Sequence, residues 1–499
     1  TVELTMMAGY SPTTALAFPI EVCQCAPVAG GDFGVMPQMQ NCDARTIGFW
    51  RNKHGLSLVT QYDILPTLPA RVPWRKTMRW NAPLPFARPI RAVVALLGGE
   101  VVPCHVAGLA AGRATRGHPF LSPGAIGLDS ADRHTWLDRL RTAHVLADPD
   151  ERRAAVETCV RAAAPTAEVE PDLLDEVTNL VEWPTALVGS FDRSYLALPE
   201  RLLTTAMAHH QRFFPVRDSS GALAPRFVAV LDRTEASHDV CRPGFERVLV
   251  PRLHDAAFFQ SEDRKRPLAS RLERLATVLY HHKLGTLRDK ASRLESLAGT
   301  LARTLGGDDA AVARASRGGL LAKCDLVTHL VGEFPELQGY VGSVYAAADG
   351  EPGDVCAGIR DQYRHRYESG DALPPVAVAV CLAEHLDTLC QFGTHVGLPK
   401  GNTDPFGVRR AAQSVLEVAD RFHPDLDLAE AVAAAGGDGE VLSYLRRRLE
   451  QRLRDEGVRH DLLDAVSGAP SIGAVRRTLA DLASLGTRPS FARLLEVAE

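Results

Sequence analysis

The chain has 499 residues, of which 45% are hydrophobic and 23% charged, and its formal net charge at pH 7 is −5. This length predicts roughly three domains, each able to bury a hydrophobic core. The slightly acidic balance excludes a chain that is basic throughout, so any nucleic-acid contact must depend on local basic patches. We find neither an apolar run of about 18 residues nor a secretion signal, so we expect a cytoplasmic protein without membrane contact.

The ten cysteines are scattered along the chain and include no CxxC pair. Most lie in apolar segments, where a free cysteine behaves as a small buried hydrophobic residue, and this fits a reducing cytoplasm. Cys23, Cys25, Cys42 and His54 could be written as four zinc ligands. Their CxC start and irregular spacing are poor for a zinc knuckle, so we expect no metal there.

Residues 1–62 lack an initiating Met and show no sustained hydrophobic period of 2 or 3.6 residues. We expect either a divergent domain or foreign sequence joined to the rest, loop-like and poorly packed. The pattern changes after this segment, and residues 63–265 read as a mixed α/β body. It has two strands around Gly98-Gly99, helices at 150–164 and 171–183, and further strands at 185–191 and 225–232.

Two segments of this body contain cations, the first in a loop bounded by glycines and the second next to aromatic residues. Loops that contain cations and aromatic residues can hold phosphates and stack on unpaired bases. Their candidate residues are Arg113, Arg116 and His118 in the first segment, and His210, Gln211 and Arg212 in the second. The alternative is structural: Phe213 and Phe214 belong to the core, and Arg116 caps a helix.

Residues 266–401 and 402–499 both read as helical. Leu268, Leu272, Leu275 and Leu279 fall on one helix face, and a second amphipathic run extends from Leu287 to Leu305. Basic residues border these runs, which suits either an anion-binding surface or a solvated helix face. The candidates are Lys283, Arg288 and Lys290, together with Arg446, Arg447 and Arg448 in the last region.

Ten strings in order along the chain resemble the beta subunit of bacterial glycyl-tRNA synthetase, of the kind built from separate alpha and beta chains. They are MRW (78–80), RPI (88–90), ALLGGEVV (95–102), AGRATRGHPF (111–120), LLDEVTNLVEWPTALVGSF (173–191), HQRFFPV (210–216), ERVLVPRLHDAAFF (246–259), KLGTLRDK (283–290), GLLAKCDLVTHLVGEFPELQG (319–339) and DPFGVRRAA (404–412). The resemblance covers the chain from about residue 64 to its C-terminal region.

The resemblance implies that this chain binds tRNA(Gly) and presents it to an alpha subunit, in an alpha2-beta2 heterotetramer that makes glycyl-tRNA from glycine, ATP and tRNA. ATP and Mg²⁺ would be used by the alpha subunit, with no cofactor and no catalytic residue on this chain. The chain contains no P-loop and no GxSxG motif, which agrees with that division. The cations named above would then contact tRNA phosphates.

The resemblance also implies that residues 266–401 have an HD phosphohydrolase-like fold and that residues 402–499 lead into a helical anticodon-binding domain that looks incomplete. In working HD enzymes a His, a His-Asp pair and a later Asp bind the catalytic metal. The corresponding positions here are His281 or His282, Asp325 and Asp387, but Cys324 replaces the His of the pair. We therefore expect a degenerate site without metal, in which both aspartates have structural roles such as capping helices or pairing with Arg288 or Lys323.

Two other functions stay open at this point. A divergent tRNA-binding paralogue without charging activity would explain the unusual N-terminal segment and two departures from the family strings, Asn81 after MRW and Phe245 before ERV. A metal-dependent phosphohydrolase is disfavoured by Cys324.

Overall fold

The computed structural model describes residues 4–7, 15–18, 67, 77–79, 84–86, 90–399, 403–466 and 468–486. The candidate zinc ligands Cys23, Cys25, Cys42 and His54 lie outside these residues. The chain divides into two compact units, Thr1–Ala257 and Phe258–Glu499, here called the N-terminal and C-terminal units. The first combines small sheets with helices and the second is mostly helical, as the mixed α+β prediction requires.

The strands of the N-terminal unit are β1 (Leu4–Met7), β2 (Ala15–Phe18), β3 (Met78–Arg79), β4 (Pro85–Phe86), β5 (Ala92–Leu97), β6 (Glu100–Val101), β7 (His105–Val106), β8 (Leu109–Ala110), β9 (Ala114–Arg116), β10 (Ala125–Gly127), β11 (Pro184–Ser190), β12 (Phe214–Arg217) and β13 (Leu223–Asp232). Its helices are α1 (Arg133–Thr142), α2 (Pro149–Ala163), α3 (Pro171–Thr178) and α4 (Glu200–Thr205), and α5 (His238–Asp263) runs past the boundary between the units.

Strand β5 is apolar throughout because both of its faces are covered. Val93 and Ala95 pack in one hydrophobic cluster with Val102 and Val106, whereas Val94 and Leu96 pack in another. This alternation follows from the two-residue period of a strand. The predicted turn is confirmed: Gly98 has φ of +61°, and β5 pairs antiparallel with β6.

Only residues 4–7 and 15–18 of the segment 1–62 belong to the described residues, so the expectation for this segment stays a prediction. Residues of β1 pair antiparallel with β2 on one side, and Leu4 to Met7 pair with Ala95 to Ala92 of β5 on the other. These two short strands add to the sheet that contains β5.

The second sheet of the N-terminal unit has the order β11-β13-β12, with both pairs antiparallel. Helices α2 and α3 contribute Val156, Val160 and Leu174 to the core that this sheet shares through Phe214 and Val228. Asp148 caps α2 through the N–H groups of Asp150 and Glu151. The strands and helices predicted at 150–164, 171–183, 185–191 and 225–232 are thus confirmed, with α3 ending earlier than expected.

The elements of the C-terminal unit are the strands β14 (Leu279–His281) and β15 (Gly285–Thr286) and the helices α6 (Leu272–Leu275), α7 (Leu287–Thr304), α8 (Asp309–Leu321), α9 (His329–Glu333), α10 (Tyr340–Ala348), α11 (Gly353–Asp361), α12 (Pro375–His395), α13 (Val408–Phe422), α14 (Leu428–Ala434), α15 (Gly439–Asp455), α16 (His460–Val466) and α17 (Ile472–Gly486).

The first amphipathic run is not the helix that its leucines predict. Residues Leu268–Arg271 form a 3₁₀ turn, α6 has only four residues, and Leu279 lies in β14 with 67% of its surface exposed. Pairing of β14 with β15 overrides the local helical spacing. The second run is confirmed as α7, with Leu294, Ala298 and Leu301 buried along one face.

Helix α12 lies at the centre of this unit. It is long and apolar enough to cross a membrane by length and composition, but 83% of its most apolar window is buried inside the protein. One hydrophobic cluster joins Leu284 of the loop before α7 to Val475 of α17 through α12. The helical regions that the sequence analysis separates at residue 402 therefore share a core.

Candidate nucleic-acid interface

The turn at residues 206–212 has an unusual backbone. Residues Ala206–His210 form a π-helical turn, and Arg212 has φ of +60°, a conformation that is uncommon for a residue with a side chain. Phe213 anchors the turn by stacking on Phe227 with a centroid separation of 4.4 Å. Both Phe213 and Phe214 are buried, so the structural alternative holds for these two aromatics.

Arg212 is already occupied by a carboxylate, because its Nε lies 2.5 Å from Oε1 of Glu176. The neighbouring His210 and Gln211 are partly exposed. Gln211 borders an open groove of about 510 Å³ along α5, whose other lining residues are Gly244, Arg247, Val248, Pro251, Arg252 and Asp255. Two arginines against one aspartate give this groove a net positive lining, to which Gln211 adds a neutral hydrogen-bonding group.

The segment at residues 113–118 splits into exposed and buried members. Arg113 and Arg116 are exposed, and Arg113 donates a hydrogen bond to the carbonyl oxygen of Gly99 at 3.1 Å. Arg116 is the last residue of β9, so it does not cap a helix. His118 is fully buried, and its Nδ1 accepts the N–H groups of Phe120 and Leu121. His118 therefore holds the loop together, and this burial corrects its assignment as a tRNA contact.

The candidate cation Lys283 lies in the turn of the hairpin β14–β15, which leads directly into α7. Gly285 has φ of +82°, and a Cβ at this position would lie 2.3 Å from Oδ2 of Asp289. That carboxylate accepts the N–H and hydroxyl of Thr286, whose hydroxyl accepts the N–H of Asp289 in return. This capping box fixes the direction in which the hairpin enters the helix.

Lys283 and Arg288 remain available to an anion. Lys283 is exposed and donates from Nζ to the carbonyl oxygen of His395 at 2.9 Å, and Arg288 donates to the hydroxyl of Ser292 at 3.2 Å. Neither forms an ion pair with any carboxylate of the described residues.

Lys290 differs from its two neighbours because it is only 2% exposed. Its Nζ lies 3.2 Å from Asp387 Oδ2 and 3.2 Å from Glu384 Oε1 on α12, and it also donates to Thr388. These contacts correct the assignment of Lys290 as a phosphate contact: its charge is neutralised inside the protein.

Lys290 belongs to an internal network of charges. Lys323 is also 2% exposed, and its Nζ lies 2.8 Å from Glu384 Oε2. Arg293 donates from Nε to Asp387 Oδ1 at 2.6 Å. Burial would raise the pKa of Glu384, but the two lysines overcome this effect and lower it to about 2. Burial lowers the pKa of Lys323 to about 8.

Asp325 and Asp387, which the resemblance assigns to a degenerate HD site, have structural partners. Asp325 is fully buried, and its Oδ2 accepts the N–H groups of Gly339 and Gly342 at the start of α10. It therefore caps a helix, whereas Asp387 pairs with Lys290 and Arg293 instead of Arg288 or Lys323. Cys324 is buried, and this burial raises the pKa of its thiol to about 12. His282 is exposed.

The basic run on α15 is less uniform than its sequence indicates. Arg447 is exposed, but Arg446 and Arg448 are partly buried, and Arg448 donates to the hydroxyl of Tyr444. The nearby Arg452 pairs with Glu417, Asp420 and Glu456. Only part of this run can therefore contribute positive charge to a surface.

Sequence reasoning missed Glu384, and it considered Lys323 only as a partner of Asp325 or Asp387 and not of Glu384. A signal for Glu384 was present: Glu384 and Asp387 are the two acidic residues of a mostly apolar helix, and their three-residue spacing places them on one face.

Comparison with known proteins now adds to this geometry. The family model described as glycyl-tRNA synthetase beta subunit matches residues 52–468. The chain is 42% identical over 428 residues to the glycine–tRNA ligase beta subunit of Chromohalobacter salexigens, which covers 82% of this chain and 62% of that protein. It is 40% identical over 445 residues to that of Moorella thermoacetica, with coverages of 84% and 64%. The chain therefore belongs to the glycyl-tRNA synthetase beta subunit family, and it spans just under two thirds of the length of these relatives.

Proposed function

We propose that this chain serves as the beta subunit of a glycine–tRNA ligase: it binds tRNA(Gly) and positions it for ATP-dependent glycylation at the active site of a separate alpha subunit. Its relatives at about 40% identity are named as beta subunits of that enzyme, a name that implies an alpha partner. The assembly would be an alpha2-beta2 heterotetramer in the cytoplasm, with ATP and Mg²⁺ used by the alpha subunit. The HD-like and anticodon-binding-like regions expected from the sequence are part of this proposal.

The observation that carries the RNA-binding role is the separation of the cations into two sets. Lys290 and Arg212 are neutralised by the chain's own carboxylates, whereas Lys283 and Arg288 have no such partner among the described residues. An unpaired exposed cation gains most from a phosphate, because no internal ion pair is broken when the phosphate binds. Together with Arg113, Arg116 and Arg447, these side chains are the proposed phosphate contacts.

A chain without a nucleophile can still be required for catalysis, because orientation of bound reactants lowers the barrier by several kcal/mol. The first experiment mixes this chain with the alpha subunit of a glycine–tRNA ligase and measures glycyl-tRNA formation. We expect activity from the mixture and none from either chain alone. Co-purification without activity on tRNA(Gly) would favour the non-charging paralogue.

The second experiment measures tRNA(Gly) affinity against salt concentration in the presence of the alpha subunit. The double variant Lys283→Ala/Arg288→Ala should lower the salt slope by about two units, roughly one for each phosphate that the variant no longer neutralises. The matched control is Arg161→Ala/Arg303→Ala, which removes the same charge from two exposed arginines already paired with Glu157 and Asp309. Equal slopes for the two double variants would remove the Lys283 loop from the interface.

A further inference from the structure

Three segments that are distant in sequence meet at the exposed side chain of Phe406: strand β14, the end of α12 and the turn before α13. Phe406 has 43% of its surface exposed and stacks on the buried Phe392, with a centroid separation of 4.6 Å and an interplanar angle of 17°. His281 of β14 meets both rings at steep angles, 5.4 Å from Phe392 and 5.3 Å from Phe406. Phe392 thus covers one face of Phe406, and 43% of the Phe406 surface remains exposed.

The turn that presents Phe406 is rigidly built. Asp404 accepts the N–H groups of Val408 and Arg409 through its two carboxylate oxygens, each at 2.9 Å. Gly407 has φ of +69°, which a residue with a side chain adopts at a cost, and α13 begins directly after it. The hydrogen bonds of Asp404 therefore fix the turn, and the contacts with Phe392 and His281 hold the ring.

The positive charges near this ring favour the binding of an anionic polymer. His282 follows His281 with a ring separation of 4.1 Å, and Lys283 comes next in the same hairpin. Arg410 is exposed and, like Lys283, forms no ion pair with a described carboxylate. The carboxylates of the neighbouring acids already accept hydrogen bonds at helix N-termini. Asp289 accepts from the N–H and hydroxyl of Thr286 before α7, and Asp404 accepts from the first two N–H groups of α13. An open aromatic face beside unpaired cations is the combination that binds single-stranded nucleic acid.

We propose that Phe406 is a stacking platform for an unpaired nucleobase of the bound tRNA, with Lys283 and Arg410 contacting the flanking phosphates. This inference rests on the proposed tRNA-binding function and adds a specific contact to it. The unpaired base comes from one of two places in a tRNA, the 3′ end or the anticodon loop.

The test uses the full chain and two tRNA(Gly) transcripts that each carry one 2-aminopurine, at the 3′ end in one and in the anticodon loop in the other. Stacking on an aromatic ring quenches this fluorophore, so one of the two probes should lose fluorescence when the chain binds. Phe406→Leu, which keeps an apolar contact with Phe392 but removes the aromatic face, should restore the fluorescence and weaken binding about tenfold. Phe406→Tyr should retain both quenching and affinity.

The matched control is Phe258→Leu, which makes the same change at another exposed phenylalanine, 52% exposed. It should leave affinity and quenching unchanged. Phe406→Leu should also leave the salt slope unchanged, because it removes no charge, and its melting temperature shows whether the variant is folded. If tRNA binds with the wild-type salt slope but Phe406→Leu behaves like Phe258→Leu, the platform is wrong and the proposed function stands. If no tRNA binds under any salt condition, both are wrong.

Discussion

The ammonium group of Lys290 lies 3.2 Å from the carboxylate of Asp387, and each of these side chains is only 2% exposed. Burying two charges costs several kcal/mol in hydration, so such a pair is stable only when further partners satisfy both groups. Here Glu384, Lys323 and Arg293 extend the pair into a network of three cations and two carboxylates. Nearby Asp325 adds a third negative charge when ionised, since it lies close enough to perturb Lys323.

Glu384→Gln should destabilise the C-terminal unit by about 3 kcal/mol, because it leaves two buried lysines with one fewer anion. The pKa of Glu384 is lowered to about 2 in the folded protein, so its contribution is present above the ordinary value of 4.5 and is lost as pH falls towards 2. Chemical denaturation at several pH values measures this. The control Glu262→Gln, at a partly exposed pair with Lys265, should cost less than about 1 kcal/mol. An equal loss of unfolding free energy in the two variants would show that the buried network stabilises the protein no more than an exposed ion pair.

The same network predicts that Asp325 and Asp387, the positions expected to be a degenerate HD site, hold no stoichiometric divalent metal and support no phosphohydrolase turnover. Lys290 and Arg293 already neutralise Asp387, so a metal ion there would meet positive charge. Elemental analysis and a phosphate-ester hydrolysis assay check this. One metal per chain, absent from Asp325→Ala, would overturn the prediction. Asp325→Asn, which keeps a side-chain acceptor for Gly339 and Gly342, separates metal loss from damage to the helix cap.

Local patterns predicted some elements of the N-terminal unit, such as β5, β11 and β13, because these strands are largely apolar runs bounded by turns. The site was harder to predict. Arg288 and Lys290 look like one basic cluster, but residues two positions apart do not share a helix face, so one is partly exposed and the other buried. The partners of Lys290 lie more than ninety residues away, at Glu384 and Asp387, and no local signal identifies them. The meeting of Phe406 with His281 likewise depends on tertiary packing.

Close packing of α7 against α8 depends on Gly319. A Cβ at this position would lie 2.4 Å from the carbonyl oxygen of Leu294, and backbone cannot move aside as a flexible side chain can. Gly319→Ala should therefore cost about 2–3 kcal/mol by overpacking. The control Gly332→Ala has open space around its Cβ and should be neutral or stabilising by up to about 1 kcal/mol. Thermal unfolding of both variants measures the difference, and equal melting temperatures would contradict the tight contact.

Glu182 should make the N-terminal unit less stable as pH rises. Burial, with a smaller effect of Asp232, raises its pKa to about 7 in the folded protein, well above the ordinary value of 4.5. A raised carboxyl pKa means that the folded state binds the proton more tightly, so this stabilisation is complete below pH 4.5 and is lost as pH rises through 7. Glu182→Gln should therefore unfold at a higher temperature than the wild type at pH 8, with the advantage shrinking towards pH 4.5. A difference that does not change with pH would show that Glu182 is not the group responsible.

Lys283 and Lys290 offer the sharpest separation of binding from folding, because they are near in sequence and opposite in environment. Lys290→Met keeps most of the side-chain volume but leaves Asp387 and Glu384 short of a buried cation, so it should lower stability by about 3 kcal/mol. Lys283→Ala removes an exposed side chain whose one described hydrogen bond is to the carbonyl oxygen of His395, and its stability cost should be within about 1 kcal/mol. In tRNA(Gly) binding the order should reverse: Lys283→Ala lowers the salt slope by about one unit, whereas Lys290→Met, measured where it remains folded, leaves the slope unchanged. A lowered slope for Lys290→Met would mean that the buried charge still acts on the RNA, and an unchanged slope for Lys283→Ala would place the hairpin outside the interface.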